Sequence, residues 1–289
     1  MSLMILVTGA GGKTGKAIIK TLSGVESVCA FVRREENVSI LQSLGVENVV
    51  VGDLLDKSAL RSALKGIRAI YHICPNMSPD EETIGRLIID EAKKAGVEHF
   101  VYHSVLHPQI EAMNHHWQKM RVEEALFESG IPFTILQPAP YMQNLLVGWK
   151  SIVEEGVLRM PYSVEAKFSF VDLDDVAEAA KIVLTESTYV GAVYELAGTS
   201  PVSHAEVTKQ FEGRLNRPVR AEKIEIQEWR SRAGNLSEYA RENLIRIFEY
   251  YDKWGLAGNS NVLTWLLKRE PSSFENFIAR AVKENNAKH

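Results

Sequence analysis

The feature that most constrains the fold is a run of glycines close to the N-terminus. Gly9, Gly12 and Gly15 recur at intervals of three in the segment Thr8–Gly15, which reads Thr-Gly-Ala-Gly-Gly-Lys-Thr-Gly. The apolar segment Met4–Val7 precedes them, and an amphipathic helical pattern follows. Because a glycine weakens the interior of a helix or strand by about 1 kcal/mol, this repetition predicts a tight turn from a strand into a helix.

Each glycine has its own purpose in such a turn. Gly9 permits the tight turn, Gly12 lets backbone N–H groups approach a pyrophosphate, and Gly15 lets the helix pack closely on the strand. The helix N-terminus then faces the anion. The spacing excludes a P-loop, since only two residues separate Gly9 from Gly12. The alternative is a glycine-rich turn without a ligand. The residues predicted to bind the dinucleotide here are Thr8, Gly9, Gly11, Gly12, Lys13, Thr14 and Gly15.

Short apolar runs alternate with helical patterns over the first two-thirds of the chain. The runs are Met4–Val7, Val28–Val32, Val49–Val51, Ala69–Ile73, Phe100–His103 and Phe133–Leu136. Runs of this length suit strands buried on both faces, and their alternation with helices implies right-handed crossovers in a parallel sheet. We therefore predict an α/β fold: a Rossmann-type doubly wound parallel sheet with a smaller, mainly helical C-terminal domain.

The pattern changes after Pro138. The sequence predicts a helix at Trp149–Gly156, short strands at Phe168–Val171 and Val193–Leu196, and a helix capped by Asp172 between those strands. The helices predicted for the remainder are Ser203–Leu215, Glu228–Tyr251 and Ser272–Lys283. We predict a dinucleotide-binding domain over residues 1–150, with returning segments near residues 167–200, and a smaller substrate or partner domain over residues 151–289.

Composition and charge exclude several classes of protein. The chain has 33 basic and 37 acidic side chains, so no basic excess indicates direct binding of nucleic acid. Cys29 and Cys74 form no Cys-x-x-Cys pair, which favours a reducing compartment and predicts no metal site. The apolar N-terminus is too short for a signal sequence or a membrane span. We expect a cytoplasmic monomer or homodimer without membrane contact.

The residues after the second predicted strand bear on the choice of cofactor. Arg33 and Arg34 stand where an acidic residue would bind the ribose 2′-OH of NAD, and two guanidinium groups suit a 2′-phosphate instead. Glu35 and Glu36 follow and partly neutralise them, so a solvated role is the alternative. We predict NADP(H) rather than NAD(H). Asp53, after the third strand, either reads an adenine edge or serves as a turn or cap residue.

Together these motifs resemble the short-chain dehydrogenase superfamily, and more narrowly its atypical NmrA-like branch, which includes relatives of isoflavone reductases. The resemblance covers nearly the whole chain. It rests on Thr8–Gly15, Val32–Arg34, Val51–Leu54, His103–Val105, His115–Lys119, Ile135–Pro138, Asp172–Ala177 and Arg269–Phe274. It implies an NADP(H)-binding, atypical short-chain reductase acting on a small carbonyl, quinone or enone substrate.

The resemblance also implies a catalytic set, from which this chain departs at one position. The superfamily uses Tyr-x-x-x-Lys and an upstream Ser. Lys119, on a helix predicted to start near Asn114, and Ser104 match, but His115 replaces the Tyr. Lys119 is then expected to bind the nicotinamide ribose and Ser104 the substrate, although Ser104 also suits a simple strand-end turn. A neutral His115 is available at pH 7 as a hydrogen-bond partner or base, but it is a poor stored acid; packing is its alternative role.

Ligands of an open parallel sheet bind beyond the C-terminal ends of its strands. Pro75 follows the fourth predicted strand, and Tyr141 follows the sixth. We predict that both line the cofactor and substrate crevice, together with Leu54 and Pro138. Ordinary loop and core filling is the alternative.

The missing Tyr leaves two classes of function open. The reductase is favoured. The alternative is a non-catalytic regulator that senses the redox state of NADP(H) and binds a protein partner, because some NmrA-like proteins bind a dinucleotide without evident turnover. A nucleotide-sugar epimerase is a weaker third, since such enzymes rely on the Tyr and usually prefer NAD.

Overall fold

The structure, a computed structural model, describes residues 4–286 of the chain. Its main sheet has seven strands in the order β3-β2-β1-β4-β5-β6-β9, and β1 to β6 pair in parallel. The sheet strands are β1 (Met4–Val7), β2 (Val28–Val32), β3 (Asn48–Val51), β4 (Ile67–His72), β5 (His99–His103), β6 (Phe133–Pro138) and β9 (Ala192–Leu196). The predicted Rossmann-type sheet is confirmed.

Helices alternate with the strands of the parallel sheet along the chain. The helices of this part are α1 (Lys13–Leu22), α2 (Asn37–Ser43), α3 (Lys57–Ala63), α4 (Glu81–Ala95), α5 (Asn114–Ser129) and α7 (Leu173–Thr185). Every residue of β2 and β5 is buried, as expected for strands covered on both faces. The apolar core joins side chains such as Phe100 and Ile135 of the sheet to Ile88 of α4 and Val122 of α5.

The rest of the chain contains further helices and short strands. The helices are α6 (Trp149–Glu155), α8 (His204–Leu215), α9 (Ile226–Arg232), α10 (Glu238–Trp254), α11 (Ser260–Leu267) and α12 (Phe274–Asn286). The strands β7 (Val157–Met160) and β11 (Arg220–Lys223) pair in parallel, and β8 (Lys167–Phe168) pairs antiparallel with β10 (Val202–Ser203). Two 3₁₀ helices lie at Met142–Gly148 and Ser187–Tyr189.

Two expectations for this part were wrong in detail, and one helix was not predicted. The predicted helix Glu228–Tyr251 is two helices, because Ser237 accepts a hydrogen bond from the Ala240 N–H and so caps a new helix after the break. The predicted strand Phe168–Val171 ends at Phe168, and Val171 makes only an isolated bridge with Tyr141. Helix α11, capped by Asn259, was not predicted.

Backbone contacts divide the chain into two compact units. The first contains the described part of residues 1–111 together with residues 115–137 and 176–194; the second contains residues 112–114 and 138–175 and the described part of residues 195–289. No helix among residues 4–286 is long and apolar enough to cross a membrane.

Candidate functional site

The glycine turn lies between β1 and α1, as predicted. Gly9 has a φ of +60°, a left-handed conformation that favours glycine. A Cβ on Gly15 would lie 2.5 Å from the Gly9 carbonyl oxygen and 2.6 Å from the Ala10 Cα, so α1 packs directly against the turn. The fold itself therefore requires glycine at these two positions, whatever the turn binds.

Gly12 differs from both of them. It is exposed, its φ is −77°, and a Cβ there would have one neighbour within 4 Å, the Gly9 carbonyl oxygen at 3.3 Å. Gly12 is also the N-cap of α1, and no side chain caps the helix there. That single contact is tight, but it is the only one, so packing constrains Gly12 far less than Gly9 or Gly15. The approach of a phosphate to the helix N-terminus gives a further reason for glycine at this position. The residues present thus fit a dinucleotide diphosphate.

The arginines after β2 are both exposed. Arg34 Nη1 lies 3.1 Å from Glu36 Oε1, an ion pair in which both side chains are about two-thirds exposed. Arg33 has no ion-pair partner in the described part of the chain. Asp53 Oδ1 accepts a hydrogen bond from the Leu55 N–H at 2.9 Å, the interaction of a turn residue. Leu54, which lies between Asp53 and Leu55, is buried in the apolar core.

Lys119 is buried and ion-paired. Its Nζ lies 2.9 Å from Glu81 Oε1 and donates to the His103 carbonyl oxygen at 3.2 Å. Glu81, on α4, is fully buried and also accepts a hydrogen bond from the Tyr102 hydroxyl at 2.8 Å. Its Oε2 has no hydrogen-bond partner among the described residues. The ammonium is therefore held in one place by groups from a helix and a strand.

A polar chain connects this ion pair to the glycine turn. Thr8 Oγ1, at the start of the turn, lies 2.8 Å from His72 Nδ1. The His72 ring stacks on that of Tyr102 with 5.9 Å between centroids, and Tyr102 bonds Glu81. Burial lowers the pKa of His72 to about 3, so the imidazole is neutral. Lys119 and the glycine turn thus belong to one buried arrangement at the C-terminal ends of β1, β4 and β5.

Ser104 follows β5 directly and is buried. Its hydroxyl donates to Glu123 Oε1, and Gln137 Nε2 donates to both oxygens of the same carboxyl group at 2.9 and 3.0 Å. Burial is the largest cause that raises the pKa of Glu123. Ser104 is accordingly a donor to a buried carboxyl group rather than a turn residue exposed to water.

His115 lies near the start of α5, where the sequence predicted a helix to begin. Its Nδ1 is buried and has no hydrogen-bond partner among the described residues. Burial first, and then the charge of Lys119, hold the pKa of His115 well below its usual value. The side chain is therefore a neutral imidazole with one nitrogen that makes no hydrogen bond to the described residues.

The loop positions have the following environments. Pro75 is exposed after β4, in the first unit. In the second unit, Pro138 is buried at the end of β6, and half-buried Tyr141 forms a backbone bridge with Val171. Among residues 4–286 no group of three His, Cys, Asp or Glu side chains is placed to hold a metal ion.

Sequence reasoning missed Glu81, Glu123 and Gln137. Glu123 had a detectable signal, because His115, Lys119 and Glu123 recur every four residues and so share one face of α5. Glu81 had none, since it lies 38 residues before Lys119 on another helix.

A parallel sheet in this strand order, with an open glycine at the first turn, defines a Rossmann-type dinucleotide-binding protein. A sequence profile of the NmrA-like family matches residues 1–278, and the chain belongs to that family, as the motifs indicated.

Individual relatives are similar over most of the chain. One is the (4-alkanoyl-5-oxo-2,5-dihydrofuran-3-yl)methyl phosphate reductase of Streptomyces griseus, 33% identical over 77% of this chain and 78% of its own length. Another is the NAD(P)H azoreductase of Xenophilus azovorans, 31% identical over 78% of each chain. The crystal structure of the NADPH-dependent quinone oxidoreductase of Escherichia coli with NADPH has a TM-score of 0.85 and 25% identity, covering 96% of this chain and 100% of that one.

Proposed function

We propose that this protein is an NADP(H)-dependent reductase of the atypical short-chain type, acting on a small carbonyl, quinone or enone substrate. The observation that carries the proposal is Gly12, which is exposed at the N-terminus of α1 where no side chain caps the helix, and where a Cβ would meet only the Gly9 carbonyl oxygen. The relatives named above are reductases by name, two of them with NAD(P)H or NADPH in that name, and this supports the reductase over the regulator.

The residues that would hold the cofactor follow from their placement. The glycine turn would receive the diphosphate, Arg33 and Arg34 the 2′-phosphate, and Lys119 the nicotinamide ribose. The Lys119 ammonium has three N–H donors. Two of them bond Glu81 and the His103 carbonyl, so the third remains for a ribose hydroxyl.

When bound, the reduced nicotinamide would supply a hydride to the substrate. The side chains of this protein would supply orientation and the proton. His115 would donate a hydrogen bond from its neutral ring to the substrate oxygen, which polarises the bond without releasing a proton. Ser104, one residue beyond the carbonyl that holds Lys119, would contact the same oxygen.

The test is loss of NADPH absorbance with a panel of quinones, enones and azo compounds, alongside calorimetric titration of NADPH. Turnover with at least one acceptor is expected. NADPH binding with no turnover on the whole panel would favour the sensing regulator instead, and absence of NADPH binding would remove both.

The two arginines give a prediction about cofactor choice. Arg33→Ala is expected to raise the Kd for NADPH about 10- to 100-fold and to leave NADH unchanged, because a charge-assisted bond contributes about 1.5–3 kcal/mol. Arg34→Ala should have a smaller effect, since Arg34 already pairs with Glu36. Arg220→Ala, an exposed arginine on β11, is the control for lost surface charge. Equal losses for NADPH and NADH would contradict a 2′-phosphate contact.

The glycines give a second prediction. Gly12→Ala should fold with a loss of about 1 kcal/mol or less, since its φ suits alanine, yet weaken NADPH binding at least tenfold. Gly15→Ala should instead lower the free energy of unfolding by several times as much, because its Cβ meets the backbone of the turn. Thermal unfolding and NADPH titration of both variants separate the two roles. Unchanged NADPH affinity in a folded Gly12→Ala protein would contradict diphosphate binding at the glycine turn.

A further inference from the structure

Reduction of a carbonyl group needs a proton as well as a hydride, and the histidine at the usual tyrosine position does not store one. His115 has a pKa well below its usual value, so it is neutral and bears no spare proton at pH 7. The Lys119 ammonium is engaged by Glu81. The acid must therefore be sought elsewhere at the C-terminal ends of the strands.

Glu123 is the buried acid that lies closest to the substrate groups. It is one helical turn beyond Lys119 on the same face of α5, it is 3% exposed, and it bonds the Ser104 hydroxyl directly. Gln137 is its second partner, through a neutral amide. No Lys or Arg forms an ion pair with Glu123 in the part of the chain that the structure describes. The carboxyl group is thus desolvated without a neutralising contact.

The titratable neighbours of Glu123 include Lys119 on α5 and Tyr102 on β5. Lys119 is a cation that lowers the pKa of Glu123, and the charge of Glu123 in turn raises the pKa of Tyr102. Burial outweighs Lys119 and the hydrogen bonds, so the pKa of Glu123 is raised. A raised pKa moves a carboxylic acid toward the range in which it retains a proton near neutral pH.

We propose that Glu123 is the proton source of the reaction and passes its proton through the Ser104 hydroxyl to the substrate oxygen. The proposal rests on the proposed reductase function. In the protonated form, Glu123 donates to Ser104 Oγ, which leaves the serine hydrogen for the substrate. In the ionised form, Ser104 donates back to Glu123 across the same contact between Ser104 Oγ and Glu123 Oε1. One hydrogen bond reverses its direction with the charge of Glu123.

The step balances. The substrate carbon gains the hydride, and NADPH is oxidised to NADP⁺ while the carbonyl is reduced to a hydroxyl group. The substrate oxygen takes the Ser104 proton as the Glu123 O–H bond breaks and Ser104 Oγ regains a proton. A proton from solvent then restores the Glu123 acid. Glu123 acts through Ser104 and is in that sense a positioning residue.

The experiment compares Glu123→Gln with wild type and with Glu128→Gln, an exposed glutamate on the same helix. Wild-type kcat should fall as pH rises through the pKa of Glu123, because the acid form is the active one. Glu123→Gln keeps the shape of the side chain and can still bond Ser104, but it loses one of the two contacts with Gln137 and has no acidic proton to give. Its kcat should fall at least 100-fold at pH 7 and lose that pH dependence, with the Kd for NADPH unchanged. Glu128→Gln should match wild type.

Ser104→Ala provides a second route if Glu123→Gln does not fold. It leaves the carboxyl group in place but breaks the relay, so the same loss of the pH-dependent step is expected. A folded Glu123→Gln enzyme with wild-type kcat and pH profile would contradict the role of Glu123 as proton source, but it would leave the proposed reductase function unaffected. Absence of turnover by wild type on the whole acceptor panel would instead remove the reductase function, and the proton source with it.

Discussion

Replacing Lys119 by methionine is expected to destabilise the protein by about 3–5 kcal/mol. The substitution leaves the Glu81 carboxylate fully buried without its cation, and removing one partner of a buried ion pair costs about that much. Urea unfolding followed by circular dichroism measures the loss. The matched control is Arg121→Met, which breaks a half-exposed pair with Glu124 and should cost about 1 kcal/mol or less.

The partner substitution and the double variant complete the test. Glu81→Gln should cost a similar amount, since it removes the negative charge that neutralises the buried Lys119 ammonium. Lys119→Met combined with Glu81→Gln should recover about half of the summed loss or more, because no buried charge remains and the glutamine oxygen still accepts from Tyr102. A double variant as unstable as the sum of the single losses would show that the two side chains do not interact.

The double variant also separates the two roles of Lys119. A lysine that only neutralises Glu81 would leave the Kd for NADPH unchanged in the double variant. A lysine that binds the ribose would raise the Kd there, although the fold is retained. The comparison therefore tests the predicted ribose contact in a protein that has no unpaired buried charge at this position.

The sequence predicted the sheet well because its signals are local. The glycine turn, the start of α5 near Asn114 and the end of β5 before Ser104 each follow from a few neighbouring residues. The break between α9 and α10 was missed because Glu228–Tyr251 keeps a helical apolar pattern across Ala233 and Gly234, and only the Ser237 cap interrupts it.

The polar interior was the part that the sequence could not supply. Glu81 and Lys119 are on different helices, and no residue close to either of them in the sequence indicates that the two side chains pair. Helix α5 buries Lys119 and Glu123 on its sheet-facing side, so its inward face is not apolar. A prediction from hydrophobic periodicity would therefore assign these two side chains to the solvent-exposed face. The geometry of the sheet brings these charges together, and this information lies in the tertiary structure alone.

The same buried interior predicts a protein that unfolds readily in mild acid. Burial lowers the pKa of His99, His116 and His204 to about 4, that of His72 and His103 to about 3, and that of His115 well below its usual value. A histidine with a depressed pKa in the folded state binds its proton only after unfolding. The unfolded state therefore gains protons, and stability is lost, as pH falls below 6.5 and until the folded pKa is reached.

The expected size of this effect is large. Each such histidine loses roughly 1 kcal/mol of stability between pH 6.5 and 5.5, and six together approach the total stability of an ordinary domain. We expect urea midpoints to be nearly constant from pH 8 to 7 and to fall steeply below pH 6.5, with acid unfolding close to pH 5. Midpoints that stay constant down to pH 5 would contradict neutral burial of these side chains.

His204→Phe provides the test with a single histidine, because this residue belongs to the second unit and is not among the residues assigned to the reaction. His204 Nδ1 is buried without a partner among the described residues, and its ring meets the edges or faces of Phe168, Phe170 and Tyr162 at 5.2–5.5 Å. Phenylalanine can fill the same aromatic cluster and does not titrate. The variant should have a free energy of unfolding that falls less steeply in acid, by about 1.4 kcal/mol per pH unit near pH 5, which is the contribution of one proton. An unchanged slope would mean that His204 is protonated in the folded protein, and that burial does not exclude charge from this cluster.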